Sequence, residues 1–127
     1  MYGDTELDHV NFEKLAQFFY EDLGGDQATF DSIIQILEDQ FSEFLAYQFS
    51  SDDLESLGKM AHKIRSGARS FALESSYNGL SELERLCREQ LVEASQDEVT
   101  RLQSLLPLAM SELQQCRLQL YQKVQHG

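Results

Sequence analysis

Apolar residues recur every three or four positions along almost the whole chain, and the alternating β-branched runs expected of strands are missing. A first short helix is predicted over about Val10 to Asp22, with Phe12, Leu15, Phe18 and Phe19 on one stripe. Gly24-Gly25 breaks it, and Asp26 caps a second helix that runs to about Phe49 on Phe30, Ile33, Ile34, Leu37, Phe41, Phe44 and Leu45. Ser50-Ser51-Asp52-Asp53 then supplies a cap and first-turn acids for a third helix, which carries Leu54, Leu57, Ala61, Ile64, Ala68 and Phe71 on one face. A fourth begins near Ser75 or Ser76 and is expected to bury Leu80, Leu83, Cys87 and Leu91. Ser95-Gln96-Asp97-Glu98 reads as an S-x-x-E capping box opening the last helix, whose apolar positions run from Val99 through Leu102, Leu106, Ala109, Leu113, Cys116 and Leu120 to Val124. Pro107 inside that pattern predicts a kink rather than a chain break. Linkers of about two to six residues favour antiparallel neighbours. The fold class expected is all-α: an up-and-down antiparallel four-helix bundle with a short additional N-terminal helix. A single domain over 1–127 is expected, with 1–9 and 122–127 expected to fray.

Composition narrows the functional classes. The 127 residues, 42% apolar and 25% charged, are enough for one core without disulfide or metal staples. Ten Lys and Arg against 22 Asp and Glu give a formal charge of −12, which argues against nucleic acid or an anionic membrane surface as partner. The longest uncharged run, Leu102–Ser111, is about half of what a membrane-spanning helix needs, and MYGDTELDH carries no signal core, so a cytoplasmic location is expected. Cys87 and Cys116 fall at apolar helical positions and read as small buried hydrophobes. Glu6-Leu7-Asp8-His9 is one E-x-x-H where a di-iron bundle needs two, so a solvated terminus is the better account and no metal is expected. His126, one residue from the end, is expected to lie in a frayed terminus. No phosphate-binding G-x-x-x-x-G-K, H-E-x-x-H or G-x-S-x-G string occurs.

Candidate chemistry concentrates in the third helix. From Lys59 to Leu73 the chain reads KMAHKIRSGARSFAL, with four basic residues and no acid. Projection at about 100° per residue points His62 roughly 130° from the centre of the apolar face, toward solvent. Lys59, Arg65, Ser66 and Arg69 are its neighbours on the helix surface, and the small Ser66 and Gly67 leave the imidazole edge open. An exposed neutral imidazole is a nucleophile near pH 7, and phosphoryl transfer needs mainly positioning and cations around the moving oxygens. Arg65 and Arg69, helped by Lys59, supply charge-assisted hydrogen bonds to a phosphoryl group on His62, and the Ser66 hydroxyl is placed to add one. The plain alternative is an idle surface histidine in a solvated basic patch.

The string Ala61-His62-Lys63-Ile64-Arg65-Ser66-Gly67-Ala68, followed by Leu80 and Leu83-Glu84, resembles the histidine phosphotransfer (HPt) domain family. The Gly-Gly-Asp before the second helix and its Phe41-containing end extend the resemblance over most of the chain. It implies a four-helix bundle that shuttles phosphate between aspartates of receiver domains, without ATP. His62 matches the phosphorylated histidine, Ile64 the buried aliphatic position and Arg65 the cation beside the phosphate. No cofactor of its own is implied, the Mg²⁺ residing on the receiver. The partners implied are response-regulator receiver domains or a hybrid sensor kinase, and the domain is expected to be a monomeric phosphocarrier rather than a turnover enzyme. Family docking surfaces are implied to be apolar patches beside the histidine, contributed partly by the first helix.

The sequence departs from the family pattern at three places. Ser66 replaces the usual glycine, Arg69 stands at a commonly small position, and Ala72 replaces a second glycine, so that the third helix is expected to end without a left-handed residue.

Two further classes remain open. Dimerising histidine-kinase bundles also carry a helical histidine, but usually with an acid immediately after it, where Lys63 stands here. A receiver-binding interaction module that regulates without phosphotransfer is the other, and it has no physical need of His62 with Arg65.

Overall fold

The structure, a computed structural model, describes residues 7–126, with side chains described as far as Lys123. Glu6 and the side chains of Val124 and His126, all named above, lie outside what the structure describes. Five helices follow one another: α1 (Phe12–Gln17), α2 (Gln27–Leu45), α3 (Leu54–Ser70), α4 (Glu74–Arg88) and α5 (Val92–His126). Among the described residues there is no strand, only one isolated bridge between Val10 and Leu73. The all-α bundle with a short helix in front is the architecture read from the periodicity. No helix among the described residues is long and apolar enough to cross a membrane.

The stripes seen in the sequence become the core. Phe30, Ile34, Leu37, Phe41 and Phe44 of α2 are buried against Leu57, Ala61, Ile64 and Ala68 of α3, Leu80 and Leu83 of α4, and Leu102, Leu106, Leu113 and Leu120 of α5. Phe18, Phe19, Phe30, Phe71 and Tyr121 close one end, with ring centroids 4.8 Å apart for Phe19–Phe30 and 5.4 Å for Phe18–Phe71. Cys87 and Cys116 are free, buried thiols.

Local ends differ from the sequence reading in instructive ways. After Gln17 the first helix widens into a π turn over Phe18–Asp22, and Gly24 and Gly25 then turn the chain at positive φ. Asp26 caps α2 as expected, accepting from the amides of Ala28 and Thr29. That helix stops at Leu45 rather than near Phe49, because Tyr47 and Phe49 fold back against the core in an extended stretch. Ser50 accepts from the Asp52 amide and opens a 3₁₀ turn, Ser51–Asp53, that leads into α3.

Three expectations are corrected. Ala72 does adopt the left-handed conformation, at φ +58°, and closes α3 with the Leu73 amide donating to the Ala68 carbonyl and the Ala72 amide to Arg69. Tertiary docking supports it, since the Ala72 carbonyl accepts from the Asn11 amide at 3.0 Å. Leu91 is 45% exposed, because α4 ends at Arg88 and Gln90, also at φ +58°, turns the chain before it. Ser95 is no capping-box residue: α5 already begins at Val92, and the Ser95 side chain is fully buried beside Cys87. α5 continues unbroken through Pro107.

The segment before α1 is tied down. The His9 amide donates to Glu112 of α5 at 2.9 Å, and its imidazole Nδ1 lies 2.8 Å from the Ser75 hydroxyl at the start of α4.

Candidate functional site

His62 sits midway along α3, next to the fully buried Ala61, so the helix that buries Leu57, Ala61, Ile64 and Ala68 turns the imidazole outward. Its side chain is 61% exposed. α4 runs back beside α3 after a three-residue turn, and the seam is narrow here. A Cβ on Gly58 would lie only 3.3 Å from the Cβ of Cys87, tighter than ordinary packing. That close approach carries Glu84, which borders the buried Leu80, Leu83 and Cys87, under the edge of His62.

The result is a bridged pair. His62 Nδ1 lies 2.5 Å from Glu84 Oε2, and the other carboxylate oxygen, Oε1, lies 3.3 Å from the Arg65 guanidinium. Glu84 is mostly buried, at 18% exposure, while its imidazole partner faces solvent. A carboxylate on Nδ1 fixes that nitrogen as the proton-bearing one, leaving the Nε2 lone pair outward and without a partner among the described residues. The arrangement supplies a nucleophilic nitrogen held in one tautomer and one orientation, with a cation one helical turn away.

The other predicted residues are placed less centrally. Lys59 is held by Glu55 at 3.3 Å on its own helix, and Lys63 reaches Glu43 of α2 at 3.9 Å. Ser66 is exposed one turn after His62, and its carbonyl accepts from the Ser70 hydroxyl at 3.2 Å. Arg69 lies two turns from His62, about 10 Å along the helix. It is stacked over the Tyr77 ring, 5.8 Å from its centroid, in a cation–π contact. Of the four cations in the basic window, Arg65 alone touches the carboxylate that holds His62.

Two expectations about access change. Gly67 is small for packing rather than for access, since a Cβ there would lie 2.8 Å from Leu37 Cδ1. The first helix does not rim His62 closely either, because Phe18 packs on Phe71 and Lys14, Gln17 and Asp22 border Arg69, Ser70 and Ala72 at the far end of α3. The open groove of about 800 Å³ beside His62 runs the other way, toward Ser51 and Asp52, between the start of α3 and the end of α4.

Leu83-Glu84 enters the sequence pattern only as a pair, with no role for Glu84. The available signal was positional: Glu84 follows a core leucine and precedes Cys87 by three residues, which puts it on the edge of the buried face, where a lone acid needs a partner. Among the described residues no group of three or more His, Cys, Asp or Glu is arranged to hold a metal ion.

Fold and site together define a helical bundle that presents one carboxylate-backed histidine from the middle of a helix. The chain belongs to the Hpt domain family, whose model matches residues 15–117, and that family carries out histidine phosphotransfer in two-component signalling. No curated protein and no solved structure matches the chain.

Proposed function

We propose that this protein is a phosphorelay carrier: His62 takes a phosphoryl group from the aspartyl phosphate of one receiver domain and gives it to the aspartate of another. The observation that supports the reading best is the His62–Glu84 pair, which combines a solvent-facing Nε2 with a mostly buried carboxylate on Nδ1.

In the transfer, the Nε2 lone pair attacks phosphorus in line as the acyl phosphate P–O bond breaks, and the receiver's carboxylate leaves with that electron pair. The imidazole becomes cationic, and the proton on Nδ1 stays shared with Glu84, which stabilises the developing charge. Arg65, oriented by the same carboxylate, faces the negative charge of the phosphoryl oxygens. The Mg²⁺ that the chemistry needs belongs to the receiver, and the carrier brings no cofactor and no ATP site. Reversal of the same steps passes the phosphoryl group on. Lys59 and Ser66 border the path of the phosphoryl group without fixing His62, and Arg69 acts at the edge of the docking surface. The carrier works as a monomer in the cytoplasm, where its two buried thiols stay reduced.

The test is transfer itself. The protein is mixed with a panel of phosphorylated receiver domains and Mg²⁺, with His62→Gln alongside, and phosphate that is acid-labile and base-stable is sought. Label on the wild type and none on the variant is the expected result. A receiver that binds both chains equally and labels neither would mark the protein as a docking module instead.

A further inference from the structure

The cations of α3 nearest His62 are each engaged by a carboxylate: Lys59 by Glu55, Lys63 by Glu43 and Arg65 by Glu84. Arg88 of α4 is different. It is exposed and has no hydrogen-bond or ion-pair partner among the described residues. Glu84, the acid one turn before it, has both oxygens committed, Oε2 to His62 and Oε1 to Arg65. Glu82 and Glu89 both bind Arg85. The C-terminal turn of a helix favours a basic residue, which accounts for the charge of Arg88 but not for where it faces.

It faces the site. Arg88 and Glu84 share one face of α4, and Arg88 lines the same open groove as His62, Glu84, Gly58 and Lys59. Because α3 and α4 are antiparallel, Arg65 lies one turn beyond His62 toward the end of α3, whereas Arg88 lies toward its beginning. Two guanidinium groups thus flank the imidazole from opposite sides, and only one of them is occupied.

Charge explains the use of a second cation. A phosphoryl group on Nε2 carries close to two negative charges and stands a few ångströms from the Glu84 carboxylate. Arg65 is shared with Glu84, so one guanidinium has to balance both the carboxylate and the phosphoryl charge. We propose that Arg88 is the second phosphoryl-binding residue of the site, its guanidinium closing over the phosphoryl oxygens from the groove side once His62 is modified. This rests on His62 being the phosphoacceptor, and its decisive readout needs no receiver.

The full chain is phosphorylated with potassium phosphoramidate: the reagent's P–N bond breaks, its nitrogen leaves as ammonia, and the P–Nε2 bond forms. Phospho-His62 is followed by ³¹P NMR across pH, with His62→Gln identifying its resonance and circular dichroism confirming the fold of each variant. A cation beside the phosphoryl group favours its dianion, so Arg88→Ala should raise the phosphoryl titration midpoint by about half a pH unit or more, with Arg88→Lys restoring most of it. An unchanged midpoint in Arg88→Ala overturns the proposal. So does an unchanged midpoint combined with slower transfer from a phosphorylated receiver, which would assign the guanidinium to the partner. An Arg88-dependent midpoint with no transfer from any receiver would leave this assignment standing while the relay reading fails. A His62 that takes no phosphoryl group from phosphoramidate overturns both.

Discussion

His62 and Glu84 stand 22 residues apart in the chain and meet at 2.5 Å, Nδ1 to Oε2, across the antiparallel pair α3–α4. The pair is polarised by burial, because the acid is mostly covered and the base mostly exposed. Removing the acid therefore releases the imidazole to rotate and to exchange tautomers. Glu84→Ala is expected to slow phosphoryl transfer to His62 by about 10- to 100-fold, the cost of losing orientation at a reacting atom. Glu84→Gln retains an acceptor oxygen and loses less. Single-turnover transfer kinetics and imidazole ¹⁵N shifts measure both effects, and an unaltered rate in Glu84→Ala would show that the pair is structural.

Arg65 and Arg69 look interchangeable in the sequence and are not so in space. Arg65 touches Glu84, whereas Arg69 stacks on Tyr77 two turns away. Arg65→Ala should reduce the rate of His62 phosphorylation by phosphoramidate several-fold. Arg69→Ala should leave that rate within a factor of about two, and lose about 0.5–1 kcal/mol of stability with the cation–π contact. Equal losses of rate in the two variants would contradict the geometry.

Two helix ends hold non-glycine residues in the left-handed region. Ala72 and Gln90 each have φ +58° and each close a helix with paired backbone hydrogen bonds. The conformation costs a residue with a Cβ about 1 kcal/mol relative to glycine. Gln90→Gly, at an exposed site, should stabilise the fold by about 1 kcal/mol in urea unfolding. Ala72→Gly should gain somewhat less, because the alanine methyl is buried.

Gly79 has the opposite constraint. A Cβ there would lie 2.6 Å from Leu102 Cδ2 and 2.7 Å from an Arg101 guanidinium nitrogen, where α4 meets α5. Gly79→Ala is expected to destabilise the bundle by about 1–2 kcal/mol despite the better helix propensity of alanine. A more stable variant would mean that the two helices separate without cost.

Stability should fall at both ends of the pH scale. Hydrogen bonds from Asn11 and Lys14 hold the Glu74 carboxyl below its ordinary value, Arg85 does the same for Glu82, and the Thr29 amide and hydroxyl do so for Asp26. A carboxyl depressed in the folded state stabilises it above its unfolded value and ceases to do so as pH drops through the folded value. The acid limb therefore begins below about pH 4.5 and shrinks with added salt, because these groups are exposed. At the other end, burial first and then Glu112 push the Cys116 thiol up to about 11 from an ordinary 9.0. That contribution is whole below pH 9 and is lost as pH rises toward about 11. Cys116→Ala should flatten the melting temperature over that alkaline window, and an unchanged slope would place the titrating group elsewhere.

Most of the fold was legible because helical periodicity reports directly on which face is covered. His62 was legible for the same reason, because the projection that gathers Leu57, Ala61, Ile64 and Ala68 on one face turns it outward among Lys59, Arg65 and Arg69. Glu84 gained no role because its partner is remote in sequence: an acid at the edge of an apolar face calls for a partner without saying which residue that is. Ala72 shows the limit of propensity. Its intrinsic preference argued against a left-handed end, and the Asn11 amide on its carbonyl, with the Val10–Leu73 bridge beside it, supports the turn from outside the helix. Ser95-x-x-Glu98 misled because the capping-box pattern records local hydrogen-bonding capacity, while α5 had already started three residues earlier.

The turn from Phe71 to Leu73 places His62 and Glu84 equally far from Leu73 along the two helices it joins, so the His62–Glu84 pair is assembled by the closing of one hairpin. An open or half-folded chain carries an ordinary histidine, free to rotate and without a carboxylate at its back. The state of the imidazole is thus a readout of folding: the carboxylate-backed, single-tautomer form comes into being when α4 docks on α3.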